Sequence, residues 1–170
     1  HTQELRYMAN HNIAAVNRQF RKALYEPVIS LYHYNGCGFF DGGCLLLADA
    51  LVQWSDGDLN LGAIDRVSNK SQSGGDHWFV SMNVAGRTFL LDANGLKLPA
   101  PYRRYFEKEE VQEPCVFLEN PQHNPDSEVP RDAAFSKILC NQLITALGTY
   151  PHWKAEVQRV FEPEESLSPR

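Results

Sequence analysis

The sequence places one cysteine at the junction between a glycine turn and an apolar run. Gly42 and Gly43 directly precede Cys44, and residues 44–54 then read CLLLADALVQW. A segment that is apolar on nearly every side is typical of a buried helix. A helix N-terminus supplies unpaired N–H groups and the positive end of a dipole, and both favour the thiolate, the reactive form of cysteine. Cys44 is therefore the candidate nucleophile, with its N–H as an oxyanion donor, and the glycines would let a substrate carbonyl approach closely.

A histidine and an aspartate further along the chain could complete a relay with this thiol. Residues 77–92 read HWFVSMNVAGRTFLLD, which alternates well enough for two hairpin strands joined by the dipeptide AG. A two-residue turn pairs Val84 with Arg87 and puts Asp92 opposite Phe79, so that Asp92 and His77 become diagonal neighbours on one face. A one-residue slip would separate them. In this register His77 can take the thiol proton, and Asp92 can hold the imidazole in the required tautomer.

This order of residues resembles the papain-like fold in its broad sense. The resemblance is carried by DGGC before an apolar helix, HWFV on one strand and LLDANG at the end of the next, within about residues 36–95. That group includes cysteine peptidases, amidases, transglutaminase-like enzymes, arylamine N-acetyltransferases and bacterial glutamine deamidase effectors. The resemblance implies an α+β fold in which N-terminal helices precede a nucleophile helix packed on a small antiparallel sheet. It also implies a triad of Cys44, His77 and Asp92 that acts through a thioester acyl-enzyme.

The implied activity is cysteine-dependent hydrolysis of amide bonds by a peptidase, an amidase or a glutamine deamidase. An acyl transferase of the transglutaminase or N-acetyltransferase kind would use the same triad, because the reactions differ in whether water or an amine resolves the acyl-enzyme. An inactive binding module on the same scaffold is a further alternative. The resemblance also implies a bacterial toxin or effector domain, with a protein or peptide substrate and an inhibitory or immunity protein as partner.

Two positions near Cys44 depart from papain itself. Gly38 stands where papain has a glutamine, and leucines replace the aromatic residue that follows the nucleophile. The second oxyanion donor is therefore unassigned, with Asn35 a candidate by proximity and Asn94 a weaker one. Trp78, next to the candidate base, is either a core aromatic residue or part of the substrate-binding surface.

The other cysteines are expected to be structural. Cys37 is predicted to be a loop thiol, and Cys115 and Cys140 lie in apolar surroundings typical of a core. Four cysteines would allow two disulfides, but free thiols are favoured in a chain of this size. The spacing of cysteines and histidines matches no zinc pattern, so neither a metal ion nor another cofactor is expected. Asp76 would point away from His77, because adjacent strand residues face opposite sides of a sheet.

The remaining pattern predicts helices around the sheet in a single domain that spans residues 1–170. Pro27 is expected to end or kink an N-terminal helix whose apolar residues recur at helical spacing as Ile13, Val16, Phe20 and Leu24. A strand is predicted at 59–67 and a surface loop at 120–131.

The C-terminal part predicts one well-delimited helix. Asp132 can cap its N-terminus, and Gly148 stands where a C-cap belongs. Its predicted apolar face comprises Phe135, Ile138, Leu139 and Leu143. The tail at 162–170 is predicted to fray.

The composition argues against two classes of partner. The formal net charge is −5, so the basic surface that binds nucleic acid is not expected. No apolar run approaches the roughly 20 residues that span a bilayer, and no signal peptide opens the chain. We therefore expect no membrane partner, and a location in the cytoplasm or, after secretion, inside a target cell.

Overall fold

The computed structural model describes residues 2–69 and 75–162, with side chains from Asn12 onward. Within these residues the fold is α+β, as predicted. The helices are α1 (Thr2–Ala23), α2 (Tyr25–Asn35), α3 (Cys44–Trp54), α4 (Pro99–Tyr105), α5 (Ala133–Leu147) and α6 (Tyr150–Val160), and a π-helical turn at Phe106–Val111 follows α4. The strands are β1 (Asn60–Arg66), β2 (His77–Val84), β3 (Arg87–Asp92), β4 (Gly95–Lys97) and β5 (Cys115–Glu119).

The five strands form one antiparallel sheet in the order β4-β3-β2-β1-β5. Val84 pairs with Arg87 at the start of the central hairpin, and the register continues to Val80 opposite Leu91. Ala85 and Gly86 both have positive φ, of 50° and 74°, as a two-residue hairpin turn of this twist requires. The predicted register of β2 and β3 is thus confirmed.

Helix α3 is buried on nearly every side, as predicted. It packs against both α5 and β2, and its buried residues are Cys44, Leu45, Leu46, Leu47, Ala48, Ala50, Leu51 and Trp54. Trp78, Val80 and Met82 join the same core from β2. Phe79 faces the other way and belongs to a smaller cluster with Tyr102 of α4. The sheet therefore separates a large core from a small one.

Pro27 interrupts the N-terminal helix, but indirectly. Helix α1 ends at Ala23, four residues before Pro27, and α2 begins at Tyr25. A proline ring clashes with the carbonyl four residues earlier, while in the first turn of a new helix its missing N–H costs little. The chain therefore breaks at Ala23 and Leu24, and Pro27 itself lies inside α2.

The capped C-terminal helix is confirmed, with one correction to its apolar face. The carboxylate of Asp132 accepts a hydrogen bond from the Phe135 N–H, and Gly148 ends α5 with a φ of 81°. Ile138 was assigned to the buried face but is 50% exposed. The side that packs on α3 instead includes Ser136, whose hydroxyl donates to the Leu46 carbonyl at 2.9 Å. Positions 136 and 138 lie on different sides of the helix, and the apolar pattern alone did not show which side packs on α3.

Several elements lie in stretches whose residue pattern predicts no clear secondary structure. Strand β4 begins directly after the turn that follows Asp92, and α4 and the π-helical turn come after it. The predicted loop at 120–131 contains no helix or strand. The predicted frayed tail lies outside the described residues beyond Glu162. Among the helices that the structure describes, none is long and apolar enough to cross a membrane.

Candidate active site

Cys44 is the first residue of α3. The first helical hydrogen bond of this turn runs from the Leu47 N–H to the Gly43 carbonyl at 3.3 Å. The N–H groups of the three residues before Leu47 therefore lie ahead of the helical ladder, and among these residues only Cys44 has exposed surface, at 6%. A Cβ atom on Gly43 would lie 2.4 Å from Leu31 Cδ2, so this position has no room for a side chain.

His77 begins β2 and Asp92 ends β3, and the two side chains meet. The Nε2 atom of His77 lies 3.0 Å from Oδ2 of Asp92. Both residues are buried, at 6% and 5% exposure. The diagonal placement expected from the hairpin register therefore gives a direct hydrogen bond.

Cys44 lies on the other side of the imidazole. Burial lowers the pKa of His77, but hydrogen bonds to Asp92 and to Cys44, together with their charges, outweigh it and raise the pKa to about 10. Because Asp92 occupies Nε2, the nitrogen left for the thiol is Nδ1. The environment thus favours an imidazolium held between a carboxylate and the sulfur at neutral pH.

Two donors besides His77 hold the carboxylate of Asp92. The N–H of Asn94 donates to Oδ1 at 2.8 Å, and the hydroxyl of Tyr102 donates to Oδ2 at 3.1 Å. Burial raises the pKa of Asp92, but the hydrogen bonds from His77, Asn94 and Tyr102 and the His77 charge lower it below its usual value. Asp92 therefore stays ionised although it is buried.

Tyr102 was missed in the sequence. Burial raises the pKa of its hydroxyl, with the Asp92 carboxylate adding to the effect, so it remains a neutral donor. It lies on α4, whose first residue is Pro99, a position that favours helix initiation. That signal could have located the helix, but no local pattern shows which strand end its tyrosine reaches.

Helix α1 clamps the turn that carries Asp92 and Asn94. The amide group of Asn17 donates to the Leu96 carbonyl at 3.1 Å and accepts from the Leu96 N–H at 2.8 Å. Arg21 donates to the Asn94 carbonyl at 3.2 Å. The turn between β3 and β4, and the first part of β4, are thus held from outside the sheet by two side chains of one helix.

Three aromatic rings surround the imidazole of His77. Phe40 lies nearly parallel to it, with ring centroids 5.5 Å apart. Tyr102 and Phe106 lie at 6.4 and 6.3 Å, each at an interplanar angle of 28°. These rings restrict the imidazole to one orientation and exclude water from its neighbourhood.

The structure places the remaining predicted site residues differently. Asn35 is exposed, and its side-chain oxygen accepts from the N–H and the thiol of Cys37, at 3.2 and 2.8 Å. Asn94 contacts the triad through its backbone N–H. Trp78 is 1% exposed and packs in the large core, where it helps to line a narrow pocket beside Cys44. No side chain is thereby identified as the second oxyanion donor.

The alternative partners for the triad residues are engaged elsewhere. Asp76 accepts from Nε of Arg66 at 3.0 Å, so it does not orient His77. All four cysteines are free thiols, with Cys115 and Cys140 buried as predicted and Cys37 partly exposed. Within the described part of the chain, no group of three or more His, Cys, Asp and Glu side chains is arranged to hold a metal ion.

No protein-family model, curated protein or solved structure matches the chain. The site must therefore be interpreted from its own geometry.

Proposed function

We propose that the chain is a cysteine-dependent hydrolase of amide bonds with a papain-like arrangement of Cys44, His77 and Asp92. The observation that carries the proposal is the 3.0 Å contact between His77 Nε2 and Asp92 Oδ2, on an imidazole whose other nitrogen faces the helix N-terminus bearing Cys44. A carboxylate, an imidazole and a thiol in this order are the groups that nucleophilic acyl transfer requires.

In the first half-reaction the Cys44 thiolate attacks the carbonyl carbon of an amide. The developing oxyanion accepts hydrogen bonds from N–H groups at the start of α3, including that of Cys44. His77, as imidazolium, then donates its proton to the departing amine while the C–N bond breaks. Asp92 keeps Nε2 of the imidazole engaged, so that the Nδ1 proton faces the reacting atoms.

In the second half-reaction water attacks the thioester. Neutral His77 takes a proton from this water, and the thiolate leaves as the acid product separates. An amine in place of water would make the enzyme a transglutaminase- or acetyltransferase-like acyl transferase. The aromatic enclosure of His77, which limits bulk water, is the observation in favour of this second candidate.

Alkylation kinetics test whether the triad is active or the scaffold is an inert binding module. Iodoacetamide at pH 7 should alkylate Cys44 faster than the other three cysteines, with the modified residue identified by peptide mass spectrometry. His77→Ala removes the imidazolium that faces the sulfur, so it should slow the reaction about tenfold or more, because the thiolate is the form that reacts. His152→Ala, which alters an exposed histidine, is the matched control.

Equal and slow labelling of all four cysteines would contradict the enzymatic proposal and support the inert module. The reaction type is decided by incubating candidate proteins or peptides with the wild type and with Cys44→Ala. A gain of about one dalton on glutamine indicates deamidation, fragments indicate hydrolysis, and a mass increase by an added amine indicates transfer. A protein or peptide substrate, action inside a target cell and an inhibitory immunity partner belong to this proposal through the resemblance alone.

A further inference from the structure

Two adjacent phenylalanines before α3 lie in opposite environments. Phe39 is 4% exposed and lines the pocket beside Cys44, whereas Phe40 is 54% exposed. The ring of Phe40 lies against the imidazole of His77 at an interplanar angle of 16°. An outward-facing phenyl ring therefore covers the solvent side of the proposed catalytic base.

The backbone holds Phe40 in this place. The N–H groups of Asp41 and Gly43 both donate to the Gly38 carbonyl, at 3.2 and 3.1 Å. Gly42 has a φ of +119°, which residues with side chains rarely adopt. Two hydrogen bonds to the Gly38 carbonyl thus hold the turn together, and Phe40 lies within this turn, between Gly38 and Asp41.

The triad itself offers little surface. Cys44 and His77 are each 6% exposed, and Asp92 is 5% exposed. Because Phe40 lies over His77 on the solvent side, a carbonyl that reaches Cys44 must bring its neighbouring groups against this ring. An exposed aromatic ring gains most from an apolar or aromatic partner, which it can contact by stacking or by its edge.

We propose that Phe40 forms an apolar subsite that selects amide substrates with an aromatic or bulky aliphatic group next to the scissile carbonyl. This inference rests on the proposed function and narrows its substrate class. Phe40 contacts the substrate directly in this role, while Phe39 only packs the floor of the turn. The preference is a property of one side chain, and it is measured as a ratio of two rates in the same variant.

The test compares two reagents with the same reactive group. Chloroacetamide and N-benzyl-2-chloroacetamide both alkylate a thiolate by forming a C–S bond and releasing chloride. A Cys37→Ser background removes the neighbouring, partly exposed thiol, and mass spectrometry confirms reaction at Cys44. The wild type should react about five- to tenfold faster with the benzyl reagent, the size expected for one aromatic contact. Phe40→Ala should lose this preference, so that the ratio of its rates with the two reagents falls to about one.

Two further variants make the outcome decisive. Tyr25→Ala, which removes a 66% exposed aromatic side chain from α2, should leave the preference intact. Phe40→Leu retains an apolar side chain and should keep about half of the preference for the benzyl reagent. If circular dichroism shows that Phe40→Ala is unfolded, the test relies on Phe40→Leu. An unchanged preference in Phe40→Ala, or an equal loss of rate with both reagents, would overturn the subsite.

Failure of the underlying function gives a different result. In that case wild-type Cys44 would react with chloroacetamide no faster than the buried Cys115, and His77→Ala would not slow it. The rate with chloroacetamide alone therefore tests the proposed function, and the ratio of the two rates tests the Phe40 subsite.

Discussion

The two faces of the sheet bury different kinds of side chain. On one face Trp78, Val80 and Met82 join a continuous apolar core that contains every buried residue of α3. On the other face a small cluster surrounds Tyr102, and the hydrogen-bonded His77 and Asp92 lie beside it. Apolar burial stabilises the fold, whereas the desolvation of a buried ion pair offsets most of its attraction. Most of the apolar burial therefore lies on the α3 face, which also carries Cys44, whereas His77 and Asp92 lie on the opposite face. Mutations on the two faces should have different effects on stability and on Cys44 reactivity.

The largest expected effect on stability comes from the α3 face. Leu51 is fully buried in the large core, and Leu51→Ala should lower the free energy of unfolding by about 2–5 kcal/mol, because it leaves a cavity. Urea denaturation measures this loss. At urea concentrations where the variant is still folded, its rate of Cys44 alkylation should remain within about twofold of the wild-type rate. A large loss of alkylation in the folded variant would show that the two faces are coupled. Leu98→Ala, at a 40% exposed position, is the control.

Tyr102→Phe tests the opposite face. It removes the 3.1 Å hydrogen bond to Asp92 Oδ2, which helps to lower the pKa of that carboxyl. The alkylation rate falls at low pH, and in this variant the fall should occur about one pH unit higher. A hydrogen bond to a charged group contributes about 1.5–3 kcal/mol, which sets the size of this shift. Tyr105→Phe, on the same helix at 55% exposure, should leave the profile unchanged. If the low-pH fall of the rate does not shift in Tyr102→Phe, the role of Tyr102 is only to pack against its neighbours.

The pH dependence of stability gives a third test of the His77–Asp92 pair. The pKa of His77 is raised from 6.5 to about 10, so its contribution to stability is fully present below pH 6.5 and is lost as the pH rises through 10. The urea midpoint of the wild type should therefore fall between pH 7 and 10, and that of His77→Ala should fall less. Parallel midpoint curves for the two proteins would contradict the raised pKa.

The smallest expected effect lies far from the triad. Asp132→Ala removes the N-cap hydrogen bond to the Phe135 N–H of α5 and should cost about 1 kcal/mol of stability. Thermal unfolding measures this cost, with Asp126→Ala in the exposed loop as control. The alkylation rate should not change. A change in it would mean that α5 transmits its position to Cys44 through α3.

Local signals in the sequence were sufficient to predict the hairpin and the nucleophile helix. The dipeptide between Val84 and Arg87 sets the register, and the register brings His77 to Asp92. These relations need only the alternation of a strand and the length of a turn. Cys44 was located because a glycine turn and an apolar helix adjoin it in sequence.

Contacts between distant elements could not be predicted in this way. Tyr102 and Phe40 reach His77 from segments on either side of it in sequence, and neither segment has a period that specifies its partner. The burial of α5 was also misjudged at Ile138, because two helix faces that are both apolar give no contrast. Packing between distant elements determines which of these side chains is buried and what it contacts. The residues next to it in sequence do not reveal that packing.

The side-chain amide of Asn17 covers part of β4, an edge strand of the sheet. Its nitrogen and oxygen bind the carbonyl and N–H of Leu96 as a neighbouring strand would, so the backbone of β4 at this point is closed to strand addition from another molecule. The same helix steadies the carboxylate-bearing turn through Arg21. Closure of this edge of the sheet and support of the turn that carries Asp92 therefore depend on the same helix.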